Sequence, residues 1–156
     1  DSRPAFWDPK DWPGERIPRG EVDACVRELM GRYKVARFYV DPRHWETQAD
    51  VWATDFGEKT VIQWPTNQIT RMFEALVRFQ EDLAEGLTTH SADEVAKDHA
   101  LRARKVAKPG DKFLLGKPAD HMKIDILMAD VLAHEAAADM RALGWGESVV
   151  EYAYYG

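Results

Sequence analysis

Hydrophobic residues recur along the chain in two patterns, which predict helices and short strands. Apolar positions three and four residues apart are typical of helices with one buried stripe. Runs that are apolar at nearly every position predict strands covered on both faces. The predicted strands are 35–40, 60–64 and a short one at 113–115, and the predicted helices are 21–33, 45–56, 69–85, a segment from near residue 91 to Pro109, and 121–143.

The first predicted strand, the helix after it and the second strand follow one another with short links. This is the order of a βαβ unit, in which the two strands pair in parallel. The remaining elements show no repeats and no low-complexity linkers. The sequence therefore predicts a single α/β domain over 1–156, with an irregular lead-in rich in Trp and Pro at 1–20 and a tail at 144–156.

Composition agrees with one globular domain. The chain has 156 residues, of which 45% are hydrophobic, and this is enough for one core. A single cysteine, Cys25, excludes an internal disulfide and fits a reducing compartment. No apolar run approaches the roughly 20 residues that cross a bilayer, so no membrane association is expected. The first residue is Asp1 rather than Met, as in a fragment of a longer protein.

Charge is distributed unevenly. The formal net charge of −6 and the pI of about 5.4 argue against a general nucleic-acid binder. Segment 101–123, however, carries seven cations against two anions, so its net charge is +5 and the rest of the chain carries −11. Such a basic segment is a candidate contact for phosphate. A solvated charged surface explains the same charges, and charge alone does not separate the two interpretations.

Asp41 is the first candidate for chemistry, because it ends the strand predicted at 35–40. Followed by Pro42, it has the sequence of a helix start in which aspartate caps the free amides. It also falls at the carboxyl end of a buried parallel strand, where open α/β sheets place their ligand sites. The two interpretations are compatible, and the local sequence supports both.

Asp125 is the second candidate. It lies among apolar residues at the start of the last predicted helix, and its own stripe (Met128, Ala129 and Leu132) predicts that it points inward. A buried carboxylate needs a partner. Capping of the helix N-terminus supplies part of one, and a divalent cation supplies more. His121, one turn earlier, is a possible lining residue of the same site. The sequence contains no glycine-rich phosphate loop and no nucleophile elbow, so ATP hydrolysis is not expected.

Taken in order along the chain, several short motifs resemble the nuclease domain of bacteriophage large terminases, the motors that package and cut viral DNA. No single motif is decisive, but the ordered set is fairly specific. The motifs are Ile17-Pro18-Arg19-Gly20-Glu21-Val22, Tyr39-Val40-Asp41-Pro42 with Trp45-Glu46-Thr47-Gln48, Trp64-Pro65-Thr66-Asn67, Thr89-His90 with His99, Gly116-Lys117-Pro118, and His121-Met122-Lys123-Ile124-Asp125.

The resemblance implies an RNase H-like fold, with a mixed or parallel central sheet flanked by helices. It implies that Asp41 and Asp125 are catalytic ligands of two Mg²⁺ or Mn²⁺ ions that cleave phosphodiester bonds of concatemeric double-stranded DNA. Other terminase and portal components are the implied protein partners, in the cytoplasm of the host. The cations implied to hold the DNA backbone are Arg102, Arg104, Lys105 and Lys117.

The sequence departs from the family pattern at its start. The family's first catalytic aspartate ends an opening strand, whereas no strand ending in aspartate precedes Glu21 here. The resemblance therefore predicts a sheet that is incomplete at the N-terminus, with two of the three expected carboxylates. An enzyme is favoured, although the isolated chain can be inactive. The alternatives are a DNA- or partner-binding module of the packaging motor without catalysis, and another RNase H-like nuclease of the resolvase or integrase type.

Overall fold

A pair of parallel strands lies between two groups of helices in the computed structural model, which describes residues 5–89 and 93–146. Parts of the predicted lead-in and tail (1–4 and 147–156) lie outside the described residues. Two short 3₁₀ turns, Pro9–Asp11 and Pro13–Glu15, precede the first helix. The elements are then α1 (Arg19–Arg32), β1 (Phe38–Val40), α2 (Glu46–Phe56), β2 (Val61–Gln63), α3 (Ile69–Ala84), α4 (Glu94–Arg102), β3 (Arg104–Lys108), β4 (Lys112–Gly116) and α5 (Asp125–Ala142).

The predicted βαβ unit is confirmed. Strands β1 and β2 pair in parallel with Phe38 opposite Val61, and α2 connects them. The ladder continues past the strands, where the Trp64 amide donates to the Val40 carbonyl at 2.7 Å. The chain is therefore of the α/β class. In the described ranges the parallel sheet has two strands.

One face of this sheet packs on α1 and α2. Phe38 of β1 points to this side, where its ring lies 6.0 Å from that of Trp52. The buried centre is formed by Val26, Trp52 and Val61, and we call it the α2-side core. Asp23 of α1 accepts from the Trp52 indole at 2.7 Å, which fixes α1 against α2. That bond and one from Arg27 lower the pKa of the Asp23 carboxyl.

The opposite face packs on α3 and α5. Tyr39 alternates with Phe38 along β1 and so points to this side, as the pleat of a strand requires. Its ring stacks on Trp64, and its hydroxyl donates to the Asp139 carboxylate of α5. Burial of the Tyr39 hydroxyl and its bond to Asp139 raise the pKa of Tyr39 to about 12. We call this cluster the α5-side core; its buried members are Tyr39, Trp64, Met72, Ala75, Leu76, Val131, Leu132 and Ala136.

The helix predicted to run to Pro109 is wrong in its second half. It ends at Arg102, and Arg104–Lys108 forms a strand instead. This strand pairs antiparallel with β4 through a three-residue turn that contains Gly110 and Asp111, both with positive φ. The side chains of β4 pack on the α5-side core, so tertiary contact overrides the helix propensity of Arg, Lys and Ala. No described helix is long and apolar enough to cross a membrane.

Candidate functional site

Asp41 follows β1 directly, at the carboxyl edge of the parallel pair. Its carboxylate accepts from the Thr66 hydroxyl at 2.7 Å and from the Arg43 backbone amide at 3.4 Å. The interpretation of Asp41 as the cap of the following helix is wrong, because α2 begins only at Glu46. Asp41 instead stabilises the turn before that helix. The other part of the prediction, a position at the end of a parallel strand, is confirmed.

A cavity of about 400 Å³ opens beside Asp41. It lies at this edge because the carboxyl ends of β1 and β2 meet there, and each continues as a polar loop. The loop after β2 supplies the Thr66 hydroxyl and the Asn67 amide. The lining residues are Asp41, Pro42, Arg43, Glu46, Pro65, Thr66 and Asn67.

Glu46 is a second carboxylate at this cavity, and sequence reasoning missed it as a site residue. The chain folds back after Asp41, since the Trp45 amide donates to the Pro42 carbonyl at 2.7 Å. His44 takes a left-handed conformation with φ of 69°. Its amide then donates to the Glu46 carboxylate at 3.3 Å. The spacing of Asp41 and Glu46 across a turn before a helix was the available signal.

Asp125 lies elsewhere. It is the first residue of α5 and is exposed, so the prediction that it points inward is wrong. Asp125 does not line the cavity beside Asp41. Over the described ranges its carboxylate has no hydrogen-bond or ion-pair partner.

The start of α5 is capped by a histidine from another helix. His99 of α4 accepts through Nδ1 from the Ile126 amide at 3.1 Å, which satisfies one of the free donors of the first turn. Asp125 does not cap the helix: the residue at the cap position is Ile124, which makes no side-chain cap bond. His121 is exposed in the turn before α5.

The residues beside Asp41 suit a hard cation. Carboxylate, hydroxyl and amide oxygens are the ligands of Mg²⁺ and Mn²⁺, and Mg²⁺ is commonly held by one or two carboxylates and several waters. Asp41 and Glu46 supply two carboxylates. Among residues 5–89 and 93–146, no group of three or more His, Cys, Asp or Glu side chains is placed to hold a metal ion. The described residues therefore fit one hydrated cation, and a second ion needs further ligands.

Each of the four cations predicted to bind DNA has an internal contact. Arg102 pairs with Asp98 one turn away in α4, at 3.0 Å. Lys117 donates to the Asp120 carbonyl at 2.8 Å. The other two contacts are those of Arg104 with the carbonyls of Leu101 and Ala103, at 2.7 and 2.8 Å, and of Lys105 with the ring of Phe113, at 4.1 Å.

Two further lysines, which were not among the predicted DNA-binding residues, lie opposite each other at the tip of the β3–β4 hairpin. Lys108 of β3 is the register partner of Lys112 of β4. Like charges in this position destabilise a strand pair. In the part of the chain that the structure describes, neither ammonium group has a hydrogen-bond or ion-pair partner. The hairpin tip thus carries two lysines without an ion-pair partner among the described residues, with Asp111 in the turn between them.

Comparison with known proteins gives distant relatives from phages. The chain is 28% identical over 145 residues to a protein named Gene 13 protein from Mycobacterium phage D29, and equally to the Gene 13 protein of Mycobacterium phage L5. Each alignment covers 86% of this chain and 24% of the relative, so the chain spans about a quarter of the length of the curated relatives it matches. No family model matches the chain. No solved structure matches it either.

Proposed function

We propose that this chain is a divalent-metal-dependent DNA endonuclease module of the phage large terminase type, with an RNase H-like fold. The observation that carries the proposal is the cavity at the carboxyl edge of the parallel strands, which both Asp41 and Glu46 line. The terminase resemblance of the ordered motifs and the phage origin of the relatives support it. Double-stranded DNA is the proposed substrate, with other terminase and portal components as partners in the host cytoplasm.

In the proposed mechanism, the residues around the cavity orient the two carboxylates that bind the metal and contact the phosphodiester. Thr66 and the Arg43 amide orient the Asp41 carboxylate, and Glu46 is held from the turn. Asp41 and Glu46 would hold a divalent cation there, which would supply the Lewis-acid chemistry that activates a water and stabilises the leaving oxygen. Arg43 lines the same cavity, and its guanidinium has the planar shape that binds a phosphodiester through two hydrogen bonds.

Asp125 stays in the proposal as the ligand of a second ion. Its exposed carboxylate at the positive end of α5 has no partner among the described residues, so it is free to bind a cation. That role requires residues beyond those that line the Asp41 cavity, because Asp125 is not one of them.

Nicking of supercoiled plasmid in the presence of Mn²⁺ tests the proposal. Asp41→Asn keeps the shape of the side chain and removes its charge, so we expect the nicking rate to fall by about 100-fold or more, the equivalent of several kcal/mol of lost metal stabilisation. Asp50→Asn is the matched control, because Asp50 is an exposed carboxylate of α2 outside the cavity. Asp125→Ala tests the second ion in the same assay.

Three results separate the alternatives. Equal nicking by the wild-type chain and by Asp41→Asn contradicts the metal site. Nicking by Asp125→Ala at the wild-type rate contradicts the role of Asp125 as a metal ligand and leaves only the cavity beside Asp41 as the metal site. DNA binding without metal-dependent nicking supports the second candidate function, a DNA-binding module of the packaging motor, which the two lysines of the hairpin tip favour.

A further inference from the structure

We propose that Arg19 is a positioning residue for the Asp41 cavity. It begins α1, 25 residues before His44, yet its guanidinium donates to the His44 carbonyl at 2.5 Å. The same guanidinium lies 5.0 Å from the ring centre of Trp45. Arg19 thus holds the turn that brings Glu46 to the cavity of Asp41. The inference rests on the metal site of the proposed function and adds a residue that does not touch the metal.

Arg19 contacts the one residue of this turn that has a left-handed backbone. His44 has φ of 69°, a left-handed conformation that L residues other than glycine adopt at a cost. Within the turn, the Trp45 amide bonds the Pro42 carbonyl at 2.7 Å, but the two bonds that hold the carboxylates are longer, at 3.3 Å from His44 to Glu46 and 3.4 Å from Arg43 to Asp41. The contact from Arg19 to the His44 carbonyl is far shorter. It is the shorter of the two hydrogen bonds described for the backbone of His44.

Arg19 lies on α1, and side-chain contacts hold α1 against α2. Asp23, one turn further along α1, accepts from the side chains of Gln48 and Trp52 of α2, at 3.0 and 2.7 Å. Arg27 adds an ion pair with Asp55 at 2.8 Å. These contacts fix α1 relative to α2, so they also fix the position of Arg19 relative to the turn before α2. A residue that does not bind the metal can orient the metal ligands when its own position is fixed.

Arg19 does this without neutralising the site. Its partners are a backbone carbonyl and an aromatic ring, and within the described residues it forms no ion pair with a carboxylate. The charges of Asp41 and Glu46 therefore stay available for a cation. Loss of Arg19 is expected to weaken cation binding through geometry rather than through charge, since removing a nearby positive charge alone would strengthen it.

Titration with Tb³⁺ measures this effect without relying on activity. Tb³⁺ binds oxygen ligands, and its luminescence is sensitised by a nearby indole, here that of Trp45 next to Glu46. We expect Arg19→Ala to weaken Tb³⁺ binding by about ten-fold, as for other residues that orient metal ligands. Arg32→Ala is the matched control, because Arg32 ends the same helix and lies over the ring of Tyr33, away from the turn.

A second substitution distinguishes positioning from general destabilisation. Glycine adopts positive φ freely, so His44→Gly removes the strain that Arg19 opposes. In the Arg19→Ala background, His44→Gly is expected to restore part of the lost Tb³⁺ affinity. A variant that was weakened only by poorer folding would not recover. Amide hydrogen exchange at residues 43–46 is expected to rise in Arg19→Ala and to stay unchanged in Arg32→Ala.

The outcomes separate this inference from the proposed function. Equal Tb³⁺ affinity and equal exchange in Arg19→Ala and the wild-type chain overturn the role of Arg19, whatever the nicking assay gives. Weaker Tb³⁺ binding with rescue by His44→Gly supports it, even where the wild-type chain does not nick DNA. A wild-type chain that binds neither Tb³⁺ nor Mn²⁺ overturns the metal site and the role of Arg19 together.

Discussion

At the scale of single residues, Tyr39 connects the sheet to α5 through a buried hydroxyl. Its bond to the Asp139 carboxylate spans 100 positions of sequence. Arg37 contacts the neighbouring Met140 sulfur at 3.2 Å from the same face of the strand. The strand is thus tied to the last helix by polar contacts inside an otherwise apolar layer. Such contacts fix the position of a helix more tightly than apolar packing alone.

Tyr39 is expected to make the stability of the chain sensitive to alkaline pH. The pKa of Tyr39 is raised from its ordinary value near 10 to about 12 in the folded state, by burial and by Asp139. The contribution of its hydroxyl to the free energy of unfolding is therefore complete below pH 10 and is lost as the pH rises towards 12. Denaturant unfolding at a series of pH values measures this loss.

Tyr39→Phe is the variant that isolates the effect. It leaves Asp139 without its donor, so we expect the free energy of unfolding at neutral pH to fall by about 1–2 kcal/mol. The loss of stability between pH 10 and 12 is expected to become smaller than in the wild-type chain. Tyr33→Phe removes the hydroxyl of a half-exposed tyrosine and is expected to leave the pH profile unchanged. An identical alkaline profile in wild type and Tyr39→Phe would contradict the assignment.

At the scale of elements, the first turn of α5 depends on a side chain from α4. Removal of a capping side chain typically costs about 1 kcal/mol. We expect His99→Ala to lower the free energy of unfolding by that amount and to increase amide exchange at 125–128. His121→Ala is the control, because His121 is exposed. Equal stability of the two variants would show that the bond from Ile126 to His99 contributes nothing.

Elements with a regular local pattern were predicted correctly from the sequence. An element whose conformation depends on contacts with residues distant in sequence was not. The strands β1 and β2 were found because their apolar runs are continuous, and α3 because its stripe is regular. The strand β3 was missed because Arg, Lys and Ala are good helix formers. Its conformation comes from pairing with β4, which brings Val106 opposite Leu114. Only the Pro109-Gly110 turn and the apolar run of β4 indicated a hairpin.

The candidate site was likewise half predictable. Asp41 was identified because a strand end is a sequence feature. The inclusion of Glu46 in the same cavity depends on a turn with one left-handed residue, and that turn is held by Arg19 from another helix. The sequence also did not show which cations lack a partner. Arg102 and Lys117 contact other groups of the protein, whereas Lys108 has no hydrogen-bond or ion-pair partner among the described residues.

At the scale of the whole molecule, one basic hairpin stands out from an acidic chain. DNA binding is therefore expected to be confined to this hairpin and to weaken steeply with salt. The double variant Lys108→Ala with Lys112→Ala removes the two lysines of the tip, neither of which has an ion-pair partner among the described residues. If both contact phosphates, the slope of log affinity against log salt concentration falls by about 1.8. Fluorescence anisotropy of a labelled duplex across a salt series measures the slope.

A matched pair of cations tests whether the free charges matter most. Arg102→Ala with Lys117→Ala changes the formal charge by the same amount, but both side chains already contact the protein. We expect the slope to change less in this variant. An equal or larger change would place the DNA contact on α4 and the segment after β4 rather than at the hairpin tip.

The two-strand sheet also divides the interior into two compartments. Because Phe38 and Tyr39 point to opposite faces, the α2-side core and the α5-side core lie on opposite sides of one backbone and form separate clusters of buried residues. Substitutions in sites that share no partners usually have additive effects, whereas neighbours in one cluster require compensation. Over evolutionary time, Trp52 and Met72 are therefore expected to change independently, while Met72 and Val131, which belong to one cluster, are expected to constrain each other. A lineage can remodel the residues that pack on α5 and still keep the core that holds α2, the helix that begins with Glu46.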